Sequence, residues 1–188
     1  MRRGLAAIVA LAVCVGCVTA AKQAYYTATG PQGSYLIISQ TSAPLERYRA
    51  LEIASFRNDV PSAVGQFLLE AVQEQAVQEM LQSRYFESVT AVPQFTQGKA
   101  EKPALVVRGT ILDITSDTVP GQKLLDSNYL LAAVELVDKE SGQVLVKANV
   151  RGVVKSVAQS GETPLAQGMG RGLKKLFKDL LHKTEKEE

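Results

Sequence analysis

Side chains that could carry acid–base or nucleophilic chemistry are scarce in this sequence, which holds one histidine, His182, and two cysteines, Cys14 and Cys17. A Ser–His–Asp or Cys–His arrangement would have to run through His182 alone. That residue ends an apolar-periodic segment beside a charged stretch, where an imidazolium is favoured by the helix dipole. Asp113, Asp117, Asp126 and Asp138 fall near expected strand ends and have the oxygen chemistry for a hard cation. Their spacing does not make an EF-hand loop, and aspartate at strand ends ordinarily serves turns. Zinc sites of the common kind lack ligands. Gly168-Met169-Gly170-Arg171-Gly172 has the look of a phosphate loop, yet it misses the dinucleotide spacing and the Lys-Ser/Thr of a P-loop. Glycines at alternate positions would instead let a helix approach a sheet closely, at about 1 kcal/mol each in helix propensity. The expectation is a protein with no catalytic residue, no cofactor and no metal.

Cys17 offers chemistry of another kind. Arg2 and Arg3 precede an unbroken apolar run, Leu5–Val15, and Gly16 puts a small residue directly before Cys17. That is the layout of a secretory signal, and the junction resembles a bacterial lipobox, although Cys14 stands where Leu is usual. Cys14 is the poorer acceptor because Val13 before it is branched. The resemblance implies lipid on Cys17, palmitate among its chains, and cleavage after Gly16. A plain cleaved signal is the alternative. A membrane span is disfavoured, since the run is shorter than the roughly 20 residues needed to cross. Residues 1–16 then read as signal peptide, 17–33 as a tether, 34–182 as one domain and 183–188 as a charged tail. Several acyl chains hold a protein stably to a membrane. Val18 after Cys17 favours the outer membrane by the enterobacterial sorting rule. Loss of Arg2 and Arg3 balances the acidic and basic residues, which gives no electrostatic reason to expect nucleic acid.

Between those ends the periodicities alternate. Ser34–Gln40 and Tyr48–Phe56 read as strands. Ala63–Arg84 reads as a helix capped by Ser62, with Val64, Phe67, Leu68, Ala71, Val72, Ala76 and Leu81 on its core stripe and Gln66, Glu70, Gln73, Glu74, Gln78 and Glu79 on the polar side. Tyr85–Val92, Ala104–Ile114, Asn128–Val137 and Gln143–Val154 are further strands, the last two joined by a hairpin over Asp138–Gly142. After Gly161, Met169, Leu173, Leu176, Phe177 and Leu180 form one helical stripe with Lys174, Lys175 and Lys178 opposite. The pattern predicts an α/β domain of α+β type: a two-layer sandwich with a mainly antiparallel mixed sheet and two long helices packed on it.

YRALEIASFRNDV, LQSRYFESV, ALVVRGTILDITSDT and the hairpin VELVDKESGQVLVKANVRG, within Tyr48–Leu181, resemble small bacterial lipoproteins grouped as domain of unknown function 4410. The architecture is similar to that of penicillin-binding-protein activator lipoprotein B, the curli secretion lipoprotein and the TolB amino-terminal domain. The resemblance implies binding to other envelope proteins and supplies no site residues. Thr115–Ser127 is longer than a hairpin needs, and such loops are often binding elements. Leu124 and Leu125 are therefore candidate partner contacts, or else the start of the next strand. The functional expectation is a lipid-anchored periplasmic protein-binding module at the outer membrane, an accessory subunit of an envelope assembly. The alternatives are a ring-forming or structural subunit of an outer-membrane secretion complex, and a small-ligand binder or enzyme with an unrecognised site.

Overall fold

The computed structural model describes residues 29–60, 64–115, 128–155 and 161–182. Among these residues seven strands form one sheet: β1 (Gln32–Gln40), β2 (Ala50–Ala54), β3 (Arg57–Asn58), β4 (Ser88–Val92), β5 (Ala104–Thr115), β6 (Asn128–Asp138) and β7 (Val144–Val154). Helices α1 (Gln66–Ser83) and α2 (Glu162–His182) pack on one face of it. The strand order is β1-β7-β6-β5-β2-β4, and β3 pairs with β5. β5, β6 and β7 run as an antiparallel meander that β1 extends, whereas β2 pairs in parallel with both β5 and β4. The two-layer α+β architecture read from the sequence is the one observed.

Alternation explains the layers. On β6, Leu130, Ala132, Val134 and Leu136 point into the core beneath the helices, while Tyr129, Leu131, Ala133 and Glu135 occupy the intervening positions and are half-buried. The core stripe of α1 is Leu68, Val72, Ala76 and Met80, spaced by four, and α2 adds Leu165, Met169, Leu173, Leu176, Phe177 and Leu180. Phe177 meets Phe86 edge to face with centroids 5.4 Å apart, a geometry the ring quadrupoles favour.

The glycine reading of α2 holds at Gly168 and Gly172, whereas Gly170 lies against α1, where a side-chain carbon would stand 2.8 Å from the Gln75 carbonyl oxygen. A side-chain carbon on Gly33 of β1 would stand 2.1 Å from the Gly172 nitrogen and 2.4 Å from the Gly168 carbonyl oxygen. On Gly152 of β7 it would stand 2.6 Å from the Met169 nitrogen. Helix and sheet meet there backbone to backbone.

Several boundaries and faces differ from expectation. The first turn of α1 begins at Gln66 after Gly65, which provides no side-chain cap, and Ser62 lies outside the described residues. Tyr48 is not in a strand. It follows a short 3-10 turn, Leu45–Arg47, and its ring is buried. Phe67 and Leu81 lie opposite the core stripe of α1 and are 62% and 53% exposed. Gln73, expected on the polar side, donates through Nε2 to the carbonyls of Ile53 (2.8 Å) and Val92 (2.9 Å), tying α1 to the ends of β2 and β4. Gln73→Ala should therefore cost about 1–2 kcal/mol, the net worth of two such bonds. A shift in the urea midpoint no larger than that of an exposed neighbour such as Gln78→Ala would show that these bonds contribute nothing.

Candidate functional site

Cys17, Leu124, Leu125, Asp117 and Asp126 lie outside the described residues. His182 closes α2 with its ring edge-on to Tyr85, centroids 6.4 Å apart. Asp113 accepts a hydrogen bond from the Tyr129 hydroxyl at 2.6 Å. Among the described residues no group of three or more His, Cys, Asp or Glu is arranged to hold a metal ion.

Asp138 is turn chemistry with a long reach. It ends β6, and its Oδ1 accepts from the Ser141 backbone N–H (2.8 Å), the Glu140 N–H (3.0 Å) and the Ser141 hydroxyl (3.0 Å), which fixes the hairpin. Its Oδ2 accepts from the Tyr48 hydroxyl (2.5 Å) and the Arg47 guanidinium (3.0 Å). Burial works against its charge, but the Ser141 N–H and the Tyr48 hydroxyl outweigh that and hold the carboxyl below its ordinary range. Burial and the bond to Asp138 push the Tyr48 hydroxyl up, with Arg47 opposing. A polar cleft of about 250 Å³ opens beside this hub, lined by Arg47, Lys102, Lys139 and Glu140 among others. Its two lysines are already matched within the protein, Lys102 to Glu87 and Lys139 to Glu52.

The sheet face away from the helices carries a different arrangement. Arg108, Glu135 and Lys147 stand in register on β5, β6 and β7. Glu135 accepts from Arg108 at 2.6 Å and from Lys147 at 3.1 Å. Burial opposes its ionisation, yet these two cations hold its carboxyl below the ordinary range. The Arg108 guanidinium also lies over the Phe95 ring at 5.1 Å, and among the described residues its buried Nε has no hydrogen-bond partner. Around this ladder stand Leu36, Ile38 and Leu112, which are 66%, 61% and 42% exposed. Ile38 and Leu112 border a hollow of about 310 Å³ that also takes in Arg108, Glu135, Lys147 and Asn149. Leu36 and Ile38 sit on β1, an end strand of the sheet, with a bulge between Ile37 and Ser39. Apolar side chains left on an open sheet edge are the usual mark of a contact surface. The alternation of Tyr35, Leu36, Ile37 and Ile38 could not reveal this surface, because apolar residues fall on both faces of β1.

No protein-family model matches the chain, and no curated protein is significantly similar to it. Solved structures are similar in fold. The PelC dodecamer from Paraburkholderia phytofirmans matches at 16% identity with a TM-score of 0.52, over 80% of this chain and 98% of that chain. A point variant of the same PelC matches at 15% identity and a TM-score of 0.50, over the same shares. A DUF330 protein from Xanthomonas campestris is 12% identical over 77% of this chain and 90% of its own, with a TM-score of 0.45. What the PelC likeness shows is a shared fold.

Proposed function

We propose that the chain is a non-enzymatic binding module of a bacterial envelope, lipid-anchored through Cys17 at the outer membrane, that engages another envelope protein through its open sheet face. The observation that carries the reading is the uncovered strip of Leu36, Ile38 and Leu112 around the Arg108–Glu135–Lys147 ladder. Apolar anchors beside a charged set give affinity and register together. The resemblance of the sequence to small bacterial lipoproteins points the same way, although no family model matches the chain. A second reading, a ring-forming subunit, is favoured by the similarity in fold to PelC, which is a dodecamer.

Crosslinking in intact cells, followed by mass spectrometry, tests the proposal. A chain with Leu36→Asp and Ile38→Asp should lose its crosslinked partner while its melting curve moves by no more than about 0.5 kcal/mol, as for other exposed sites. Acyl labelling should mark the wild type and leave Cys17→Ala unmarked. Retention of the partner by the double variant would overturn the surface. A single polar substitution that ends function with fold and partner binding intact would overturn the non-enzymatic reading.

A further inference from the structure

We propose that the open sheet face takes an extended segment of its partner, laid across the strands, with acidic side chains at both ends and an apolar one between. The proposal rests on the reading that this face is the binding surface, and names the chemistry it selects.

One row of paired residues crosses five strands on this face: Arg57 of β3, Thr110 of β5, Ala133 of β6, Asn149 of β7 and Leu36 of β1. Its three middle side chains are shorter than those of the rows beside them. Arg108, Glu135 and Lys147 stand two residues along the strands on one side. Leu131 and Arg151 stand two residues along on the other, with Leu112 in the bulge of β5. The result is a trough, and the hollow of about 310 Å³ follows it from Arg57 and Asp59 at one end to Ile38 at the other. Its walls are four residues apart, which is about 13 Å between backbones and less between side chains. An α-helix, about 10–12 Å across with its side chains, does not fit between them. An extended chain does.

Several polar groups in this trough are unmatched. Arg57 is exposed and makes no ion pair or hydrogen bond among the described residues. The Asn149 side chain likewise has no partner among them. Arg151 lies over the Tyr129 ring at 4.4 Å and meets no carboxylate among them. The carboxylates of the face are placed otherwise. Glu135 is shared by Arg108 and Lys147, Asp113 holds the Tyr129 hydroxyl, and Asp59 lines the same end as Arg57 without pairing with it. A guanidinium of this kind takes a carboxylate through two parallel hydrogen bonds.

The spacing selects the segment. Three strand intervals, about 14 Å, separate Arg57 from Asn149. Four residues of extended chain span about 13 Å, and side chains i, i+2 and i+4 point to one side. A segment of pattern acidic-x-apolar-x-acidic therefore sets one carboxylate at Arg57 and the other at Asn149 and Arg151. Its apolar side chain falls over the short floor at Thr110 and Ala133, beside Leu112. Leu36 and Ile38 close the far end and receive whatever apolar residue follows.

The probe is the labelled peptide acetyl-Glu-Ala-Leu-Ala-Glu-amide, titrated onto the full chain in detergent and read by fluorescence anisotropy. It should bind, and should be released as salt is raised. Arg57→Glu and Arg151→Glu should each weaken it about tenfold by setting like charges together, and so should moving its two glutamates side by side. Arg84→Glu, exposed beyond the end of α1, should change nothing. Melting curves confirm that each variant is folded. Where a glutamate variant fails to fold, Arg57→Gln or Arg151→Gln takes its place, with about threefold weakening expected. In cells Arg57→Glu and Arg151→Glu should lose the same crosslinked partner as Leu36→Asp with Ile38→Asp. A partner lost only through Leu36 and Ile38 would sink this proposal and leave the open face standing. A partner kept by every variant would sink both. A peptide that does not bind, or that binds whatever the spacing of its glutamates, would also overturn the proposal. Phosphatidylglycerol vesicles and sedimentation read the other occupants. Vesicle binding or a two-copy mass that disappears in Arg57→Glu, with the peptide ignored, would assign the trough to lipid or to a second copy instead.

Discussion

Gly33→Ala should cost the domain about 4 kcal/mol or more, enough to unfold most of it. The added methyl would meet the Gly172 nitrogen at 2.1 Å and the Gly168 carbonyl oxygen at 2.4 Å, and both are main-chain atoms of a helix. No side-chain rotation can relieve that overlap, so α2 must lift from β1 and β7. Lifting it would loosen the packing of Leu165, Met169, Leu173 and Phe177 together, all fully buried. Overpacking ordinarily costs about 1–3 kcal/mol. The larger figure follows because an entire helix moves. Gly98→Ala, where a side chain would meet nothing within 4 Å, is the control. Urea melts that place the two variants within 1 kcal/mol of each other would show that α2 does not sit as closely as described.

The second large effect belongs to Asp138. Asp138→Ala should cost roughly 3 kcal/mol at neutral pH, because the buried Tyr48 hydroxyl and two backbone N–H groups of the hairpin lose their acceptor at once. The loss should depend on pH in a defined direction. The native carboxyl is held below its ordinary value, so the unfolded chain takes up the proton first as pH falls. Ionisation of Asp138 thus stabilises the fold fully above the ordinary aspartate value of about 4, and that stabilisation drains away as pH drops through the depressed native value. Wild type and Asp138→Ala should accordingly converge below about pH 4. Parallel stability curves for the two proteins from pH 7 to pH 3 would mean that the carboxylate contributes nothing through its charge. Tyr48→Phe, which removes one donor only, should show about a third of the neutral-pH loss.

The meander and α2 were legible in the sequence because their periodicities are undivided. β5, β6 and β7 bury long runs, and α2 keeps all its apolar residues on one side. α1 misleads because Phe67 and Leu81 obey the same three- and four-residue steps as Leu68 and Val72 from the opposite side. Local spacing cannot say which of two apolar stripes the sheet will accept. Gln73 misleads for a related reason: its amide serves strand carbonyls, and no local pattern marks a glutamine that has such partners. The parallel pairing of β2 with β5 and the contact between Tyr48 and Asp138, 90 residues apart, rest on topology, which no short window contains. The closeness of α2 to the sheet, by contrast, could be read from Gly168 and Gly172, since few reasons other than space place glycines one turn apart inside a helix.

The position of β1 also sets a timetable. Among the described residues its strand partner is β7 and the helix it packs against is α2, so the earliest described strand to leave a ribosome is joined to the latest described elements. About 120 residues separate Gln32 from its partner Val153, which at synthesis rates of about 5–20 residues per second is a wait of roughly 6–24 s. Throughout that interval the run Tyr-Leu-Ile-Ile has nothing of its own to pair with. A newborn chain therefore presents this apolar run early and conceals half of it late.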